Sequence, residues 1–474
     1  MQFYCLDFGG GALAGLAGLP HVGSVANRLD ADRVRRTIAE LTALLRRREG
    51  RFGELGLESM AELRRRRAGG GPGADVDAFG DVFLVIDGWP SIRQDFEALE
   101  PQVAVLAAQG LSFGIHVVLT APRWGDVRPA MRDHLGTRLE LRLGDPADSE
   151  YGRKKAAAVP EGRPGRGIDR DGLHVLAALP RVDGSSETVD LAAGLADAVA
   201  AVAAAAPGRP APVVRMLPDL VDRADVLAAL GDRWAAGGGA AGERRLFVPL
   251  GIDEAELAPV GIDFAEQPHL LVFGDSGCGK TTVLRGICRS LMESRTGAQA
   301  RIIVGDYRRT LLGVVEGDHL GGYAPSAVTL SAMSRDLAAV FERRMPGPDV
   351  TQQQLRERSW WSGPEVFVVV DDYDLVSAAS QSPLTPLLEY LPQAKDVGLH
   401  LVLARRSGGA GRALFEPVIA RLRELSSAGL VMSGNREEGA LVGTARPRPM
   451  PPGRGTLVQR DGETLVQTAW LPPQ

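Results

Sequence analysis

The segment Gly274–Thr281, with the sequence GDSGCGKT, restricts the fold of its surroundings more than any other part of the chain. It has the full pattern G-x-x-x-x-G-K-[ST], and it lies between the apolar stretch His269–Phe273 and the helix-forming stretch Thr282–Glu293. Glycines let such a loop turn its N–H groups toward a phosphate beside a helix N-terminus. We therefore predict a strand, a phosphate-binding loop and a helix; a glycine-rich turn of purely structural use is the alternative.

This loop predicts a binding site for ATP and Mg²⁺. Lys280 is expected to reach the β- and γ-phosphates, and the Thr281 hydroxyl is expected to hold the cation. Cys278 lies within the loop at the predicted helix N-terminus, where a thiolate is stabilised. We therefore expect alkylation of Cys278 to block ATP binding.

Two acidic residues follow a second predicted strand, in the sequence EVFVVVDDYD. Asp371 is expected to hold the Mg²⁺ shell with Thr281, and a strand-end cap is the alternative role. Asp372 stands where many P-loop motors carry a glutamate that orients the attacking water, and aspartate is one methylene shorter. Lys280, Asp371 and Asp372 are thus the candidate catalytic residues of an ATP hydrolase with low intrinsic turnover. Arg405 and Arg406 end the next strand, either as nucleotide sensors or as an exposed pair bound to carboxylates.

Five sequence blocks occur twice in the same order. FYCLD, ending at Asp7, matches RIIVGD, ending at Asp306, and DVFLVIDGW matches EVFVVVDDY. Asp87 and Asp371 are 284 residues apart, as are the histidines of GIHVVL and GLHLVL. The blocks predict two copies of one domain. Almost nothing precedes FYCLD, so either a separate polypeptide supplies the P-loop of the first copy or Met1 is an artefact of truncation.

The predicted organisation is a partial P-loop domain at 1–205, a linker at 206–245 rich in proline and glycine, and a complete P-loop domain at 246–474. Short apolar runs rich in Val, Ile and Leu alternate with helical segments. This alternation is typical of α/β layers around mostly parallel central sheets. The fold class is therefore α/β, with tandem P-loop NTPase domains.

Composition narrows the function classes. Net charge is −5, so any contact with nucleic acid would need a local basic patch. Arginines cluster at Arg46–Arg48 with Arg51, and at Arg64–Arg67, but no aromatic residues interleave with them. A solvated helical face or an inter-domain surface is favoured over a DNA contact. Three unpaired cysteines indicate a reduced compartment, and we expect neither a secretory leader nor a membrane span.

These residues carry a family resemblance. LDFGGGALAGLAGLPHVGSVA, GLESMAELRRRR, GDSGCGKTT, VFVVVDDYDLV, GLHLVLARRSGGAGRALFEPVIARLREL and PMPPGRGTL together resemble the EccC ATPases of type VII (ESX) secretion, in the FtsK/SpoIIIE group. The resemblance covers nearly the whole chain, as part of a second ATPase domain and a complete third one of RecA/FtsK-like fold. By motif, it places nucleotide contacts at Asp371 and at Gly274, Asp275, Ser276, Gly277, Cys278, Gly279, Lys280, Thr281 and Thr282.

The resemblance implies a cytoplasmic ATPase component at the inner face of the cell membrane, attached through membrane-bound ATPase or channel subunits. It also implies hexamers and small helical WXG-type substrates recognised by a C-terminal signal. Arg405-Arg406 replaces the Thr-Gln pair of FtsK-type DNA translocases. That departure and the acidic pI disfavour the alternative, a DNA translocase subunit with the family's DNA binding. A nucleotide-gated interaction module with negligible turnover is a third interpretation.

Overall fold

The computed structural model describes the chain apart from residues 70–79, 207, 209, 232–233, 235–245, 377–381 and 473–474. The described chain forms two compact units, Met1–Met216 and Leu217–Gln474. Their boundary falls inside the segment 206–245 that was predicted to be a linker.

Residues of this segment pack onto the unit to which they belong. In the first unit, Tyr4 donates a hydrogen bond to the Pro212 carbonyl (3.0 Å) and Arg36 donates to the Arg215 carbonyl (2.7 Å). In the second unit, Arg454 donates to the Leu217 carbonyl at 2.8 Å. Val214, Leu217 and Val221 are buried, so their apolar side chains hold the described parts of the segment against the two domains.

Strands of the first unit form two sheets. They are β1 (Gln2–Asp7), β2 (Val22–Asn27), β3 (Val82–Asp87), β4 (Ile115–Leu119), β5 (Glu140–Leu141), β6 (Arg166–Ile168) and β7 (His174–Leu176). The larger sheet is parallel, with the order β2-β1-β3-β4, and β5-β6-β7 is antiparallel.

Strands of the second unit form one ten-stranded sheet. They are β8 (Phe247–Asp253), β9 (Pro259–Asp263), β10 (His269–Phe273), β11 (Ala300–Gly305), β12 (Leu320–Ala324), β13 (Glu365–Val370), β14 (Leu399–Arg405), β15 (Ala428–Met432), β16 (Arg454–Gln459) and β17 (Gly462–Thr468). The order is β12-β11-β13-β14-β10-β15-β16-β17-β8-β9. Strands β10 to β15 pair in parallel, whereas β16, β17, β8 and β9 extend the sheet in antiparallel fashion.

Helices cover these sheets. In the first unit they are α1 (Ala31–Leu55), α2 (Met60–Ala68), α3 (Pro90–Asp95), α4 (Glu100–Gln109), α5 (Pro129–Arg132), α6 (Arg153–Ala157) and α7 (Leu191–Ala205). In the second they are α8 (Arg223–Leu230), α9 (Lys280–Ser294), α10 (Ala327–Arg344), α11 (Gln352–Glu357), α12 (Tyr373–Val376), α13 (Ala394–Val397), α14 (Ala410–Ala413) and α15 (Pro417–Glu424). Short 3₁₀ helices connect them, and one of these spans Thr385–Gln393.

Local signals explain the longest helix, α1. The Asp30 side chain accepts a hydrogen bond from the Arg33 N–H and caps the helix start. Gly56 ends the helix in the left-handed region, with φ of 59°. Apolar side chains at helical spacing form its buried face: Val34, Ile38, Leu41 and Leu45.

The two sheets share a pairing register. Asp7 of β1 pairs with Asp87 of β3, and β11 pairs with β13 at the equivalent positions, from Ala300–Glu365 to Gly305–Val370. A register shift interrupts β1–β2 between Phe3 and Tyr4, and the same shift interrupts β11–β12 between Ile302 and Ile303. The order β2-β1-β3-β4 therefore corresponds to β12-β11-β13-β14, strand by strand.

The arginine clusters of the first unit form ion pairs and hydrogen bonds within it. Arg48 is buried and donates to the carbonyls of Phe113 and Gly80. Other members pair with carboxylates: Arg51 with Glu54, Arg64 with Asp81, and Arg66 with Glu62. The prediction of a solvated helical face was therefore wrong for Arg48, because its buried side chain binds two backbone carbonyls.

Among the described residues, none of the helices has both the length and the apolar character needed to cross a bilayer.

Candidate functional site

The predicted phosphate-binding loop connects β10 to α9 at the middle of the ten-stranded sheet. Its backbone is fixed by the two neighbouring strands: the Gly274 N–H donates to the Arg405 carbonyl (3.2 Å) and the Asp275 N–H donates to the Ser433 carbonyl (2.8 Å). Gly277 and Gly279 have φ of 77° and 109°, in the left-handed region that favours glycine. The loop thus has the conformation that its glycines predict.

The loop residues divide by exposure. Three residues are exposed and form its rim: Asp275, Ser276 and Gly277. Three are buried and form its base: Gly274, Cys278 and Lys280. The remaining three are partly buried: Gly279, Thr281 and Thr282. The Lys280 ammonium donates to the Asp275 carbonyl at 2.9 Å. The Lys280 ammonium therefore lies inside the loop, where phosphate oxygens can replace the Asp275 carbonyl as its hydrogen-bond acceptor.

Thr281 and Asp371 meet across 90 residues of sequence. The Thr281 hydroxyl donates to Asp371 Oδ2 at 2.6 Å, and Thr310 donates to the same oxygen at 2.9 Å. The Asp371 side chain is buried at the end of β13, and the residue is only 1% exposed. One carboxylate and one hydroxyl side by side fit Mg²⁺, which prefers oxygen ligands and keeps positions for water and phosphate. Within the described ranges, no cluster of three or more His, Cys, Asp or Glu side chains forms a metal site by itself.

Asp372 adopts an unusual backbone conformation, with φ of 44°. Its carboxylate oxygen Oδ2 lies 3.0 Å from the Arg308 Nε, and its N–H donates to Asp371 Oδ1 at 2.9 Å. Burial, and then the neighbouring Asp371 carboxylate, raise the pKa of Asp372 above its ordinary value. The side chain predicted to orient water is thus adjacent to Asp371 and ion-paired to an arginine.

Both arginines at the end of β14 lie near carboxylates. Arg406 donates to Asp374 Oδ2 at 2.8 Å, and Arg405 Nη1 is 3.8 Å from Glu416 Oε2. Arg405 is buried, whereas Arg406 is exposed. Both arginines therefore contact carboxylates, as one of the two interpretations predicts, with the correction that Arg405 is not at the surface. Their role as nucleotide sensors stays a prediction.

Besides Arg308, three side chains of the site were missed from the sequence. Asp306, at the end of the β11 segment, accepts hydrogen bonds from the Leu311 N–H (2.6 Å) and the Tyr323 hydroxyl (3.0 Å). Thr310 reaches Asp371, and Ser407 donates to the Asp275 carboxylate. Asp306 had been noted only as a marker of the repeat; a polar residue directly after a buried strand is the signal that identifies it.

The expectation of a stabilised thiolate at Cys278 was wrong. Cys278 is only 4% exposed, and its sulfur lies 3.9 Å from the Met432 sulfur. Burial raises the pKa of the thiol, and the nearby Lys280 ammonium lowers it by a smaller amount. Because desolvation outweighs the charge, Cys278 is a protonated, packed side chain at neutral pH.

We therefore expect the folded chain to resist alkylation. All three cysteines are buried, so iodoacetamide at neutral pH should add slowly, and the rate should increase with pH as the thiolate fraction increases. Intact mass spectrometry checks this, with the urea-unfolded chain, which should take three adducts, as the control. Rapid addition of one adduct, lost in Cys278→Ala and accompanied by loss of ATP binding, would contradict the packed environment.

Comparisons with known proteins agree with this arrangement. The FtsK/SpoIIIE family model matches residues 1–183, in the first unit. The chain is 54% identical over 471 residues to the ESX secretion system protein EccC of Thermomonospora curvata, covering 99% of this chain and 35% of that protein. It is 37% identical over 482 residues to the ESX-1 secretion system protein EccCb1 of Mycolicibacterium smegmatis strain MKD8, covering all of this chain and 79% of that protein.

A solved structure shows the same fold. Thermomonospora curvata EccC (ATPases 2 and 3), in complex with a signal sequence peptide, superposes with a TM-score of 0.91 at 54% identity and covers 99% of this chain and 82% of that one. The chain spans about a third of the length of the full Thermomonospora protein. The chain belongs to the EccC family of ESX secretion system proteins, because it is similar to members of that family over nearly its whole length and has two α/β units with a P-loop beside a strand-end aspartate.

Proposed function

We propose that this chain is an ATP-binding part of a type VII secretion ATPase, in which the second unit binds ATP with Mg²⁺ and hydrolyses it slowly. The observation that carries the proposal is the contact between Thr281 and Asp371, 2.6 Å apart. It joins the last residue of the P-loop, in the first turn of α9, to the end of β13, which is separated from β10 by β14. This is the pair of oxygen groups that P-loop enzymes use to hold a nucleotide-bound cation.

Each residue of the site has a distinct role in this proposal. Lys280 binds the β- and γ-phosphates, and Thr281 and Asp371 hold the cation in place beside them. When bound, Mg²⁺ supplies positive charge that stabilises the charge developing on the phosphoryl oxygens. Asp372 orients the attacking water, and turnover is low because its side chain is one methylene shorter than the glutamate of many P-loop motors.

We also infer that the two units are copies of one domain. The shared sheet order and register support this, including the register shift that interrupts the same strand pair in each. The copies differ at the strand end, where Asp371-Asp372-Tyr373 corresponds to Asp87-Gly88-Trp89. Only the second set carries two carboxylates.

The proposed substrates are small helical WXG-type proteins, recognised by a C-terminal signal. The similarity to a Thermomonospora structure described with a signal sequence peptide supports this part of the proposal. Membership of the EccC family supports partners among membrane-bound ATPase or channel subunits, at the cytoplasmic face of the membrane, and a hexameric assembly.

The test is fluorescence anisotropy with two labelled probes, the C-terminal tail of a WXG-type protein and a duplex DNA. Each is titrated with and without ATP–Mg²⁺ across a salt series. We expect saturable tail binding that persists at moderate salt, and DNA binding that is weak and lost with salt. Tight DNA binding without tail binding would overturn the export proposal. The exposed arginines of the two clusters would then be mutated first: Arg46, Arg47, Arg51, Arg64 and Arg65.

A further inference from the structure

One turn directs side chains to both acidic residues that follow β13. Thr310 donates to Asp371 at 2.9 Å, and Arg308 lies 3.0 Å from Asp372. The turn is fixed by the buried Asp306, whose carboxylate accepts from the Leu311 N–H at 2.6 Å. The fold therefore places Arg308 and Thr310 beside the two aspartates, and the Arg308 side chain remains half-exposed.

The backbone on both sides of this ion pair lies in the left-handed region. Asp372 has φ of 44° and Arg309, next to Arg308, has φ of 64°. Residues with a Cβ occupy this region at a cost in free energy, and they persist where the surrounding structure holds them there. Strained backbone of this kind clusters at functional sites, and here it is occupied by an aspartate and an arginine instead of glycine.

The first unit provides an internal comparison. Because the strand registers correspond, Gly9 stands at the position of Arg308, and Gly88 stands at the position of Asp372. Gly88 is also left-handed, with φ of 90°. A Cβ built on Gly9 would collide with the Asp87 carboxylate, which accepts a hydrogen bond from Thr120 at 2.6 Å. The same strand end therefore folds with two glycines, and the fold itself does not require the ion pair.

We propose that Arg308 is a positioning residue that restrains ATP turnover in the second unit by holding the Asp372 carboxylate in an ion pair, away from the water that attacks the nucleotide. This inference rests on the proposed ATP hydrolysis. A carboxylate oxygen bound to a guanidinium is a weaker acceptor for a water proton. Arg308 is half-exposed while Asp372 is largely buried, so the arginine is the member of the pair that can move aside.

The test compares kcat, KM and ATP affinity for four variants of the full chain. Arg308→Gln should raise kcat by about 10-fold with KM unchanged, since a positioned proton acceptor contributes roughly 10²–10⁴-fold and this aspartate is short. Arg308→Lys retains the positive charge, so its kcat should stay close to the wild-type value. Arg308→Gln combined with Asp372→Asn should lose the gain. Arg309→Gln removes a charge from the same exposed turn and is the matched control.

Outcomes separate this inference from the proposed function. An unchanged or lower kcat in Arg308→Gln overturns the restraint, and so does a gain that survives Asp372→Asn. Failure of the proposed function has a different signature: no ATP binding, or the same phosphate release by the wild-type chain and Lys280→Ala. Thermal unfolding of each variant excludes a general loss of structure as the cause.

Discussion

Replacing Lys280 with alanine is expected to weaken ATP binding by about 100-fold or more. The Lys280 ammonium lies inside the phosphate-binding loop, 2.9 Å from the Asp275 carbonyl. A hydrogen bond to a charged group contributes about 1.5–3 kcal/mol, and each 1.4 kcal/mol changes affinity tenfold. Two phosphate contacts therefore account for a loss of this size. Titration of a fluorescent ATP analogue, with calorimetry as the second method, measures it.

Lys395→Ala is the matched control for that experiment. Lys395 is ion-paired to Glu266 at 3.1 Å on the surface of the same unit, so its replacement should leave ATP affinity unchanged. Retained ATP affinity in Lys280→Ala would instead favour the structural interpretation of the loop. The unfolding temperature of Lys280→Ala should be followed in parallel, because this substitution also removes the hydrogen bond from Lys280 to the Asp275 carbonyl.

Asp371→Asn is expected to abolish the dependence of ATP affinity on Mg²⁺. The amide keeps the size of the side chain and can still bond the Thr281 and Thr310 hydroxyls, but it lacks the negative charge that holds a cation. In the wild-type chain, Mg²⁺ should strengthen ATP binding by on the order of 10- to 100-fold relative to EDTA, the range of one charge-assisted contact. In the variant, the two titrations should coincide.

Asp87→Asn is the control, since Asp87 occupies the equivalent strand-end position of the first unit. The Mg²⁺ dependence measured at the P-loop should be unaffected by this change. A Mg²⁺ effect of wild-type size in Asp371→Asn would assign Asp371 the alternative role of a strand-end cap.

The parts of the site that sequence predicts are those set by local chemistry. The strand, glycine-rich loop and helix of a P-loop are contiguous in sequence, so the motif can be recognised before the distant contacts of the loop are known. An aspartate directly after an apolar strand lies at the carboxyl end of the parallel strands, wherever that strand stands in the sheet. Lys280, Thr281 and Asp371 are therefore brought together as the motif predicts.

Other features depended on distant packing. Met432 is 154 residues from Cys278 in the sequence, and its sulfur lies 3.9 Å from the thiol. Burial of the thiol raises its pKa and so reverses the expected chemistry of that cysteine. Arg308 and Thr310 belong to no motif. Arg308 contacts Asp372 and Thr310 contacts Asp371 because Asp306 anchors the turn on which both residues lie. Side chains positioned by a turn were therefore missed, whereas those positioned by a motif were found.

The arrangement of strands in the second unit also sets an order of assembly during synthesis. β8 is made before the P-loop, but its partner β17 follows about 210 residues later, from the pair Val466–Asp253. At roughly 5–20 residues per second, the hairpin β8–β9 waits about 10–40 s on the ribosome without its neighbour, and an isolated hairpin is marginally stable. β10 likewise lacks β15 until residues 428–432 have emerged. The phosphate-binding loop is anchored on the Arg405 and Ser433 carbonyls, so we expect the ATP site to be complete only after residue 433 has emerged.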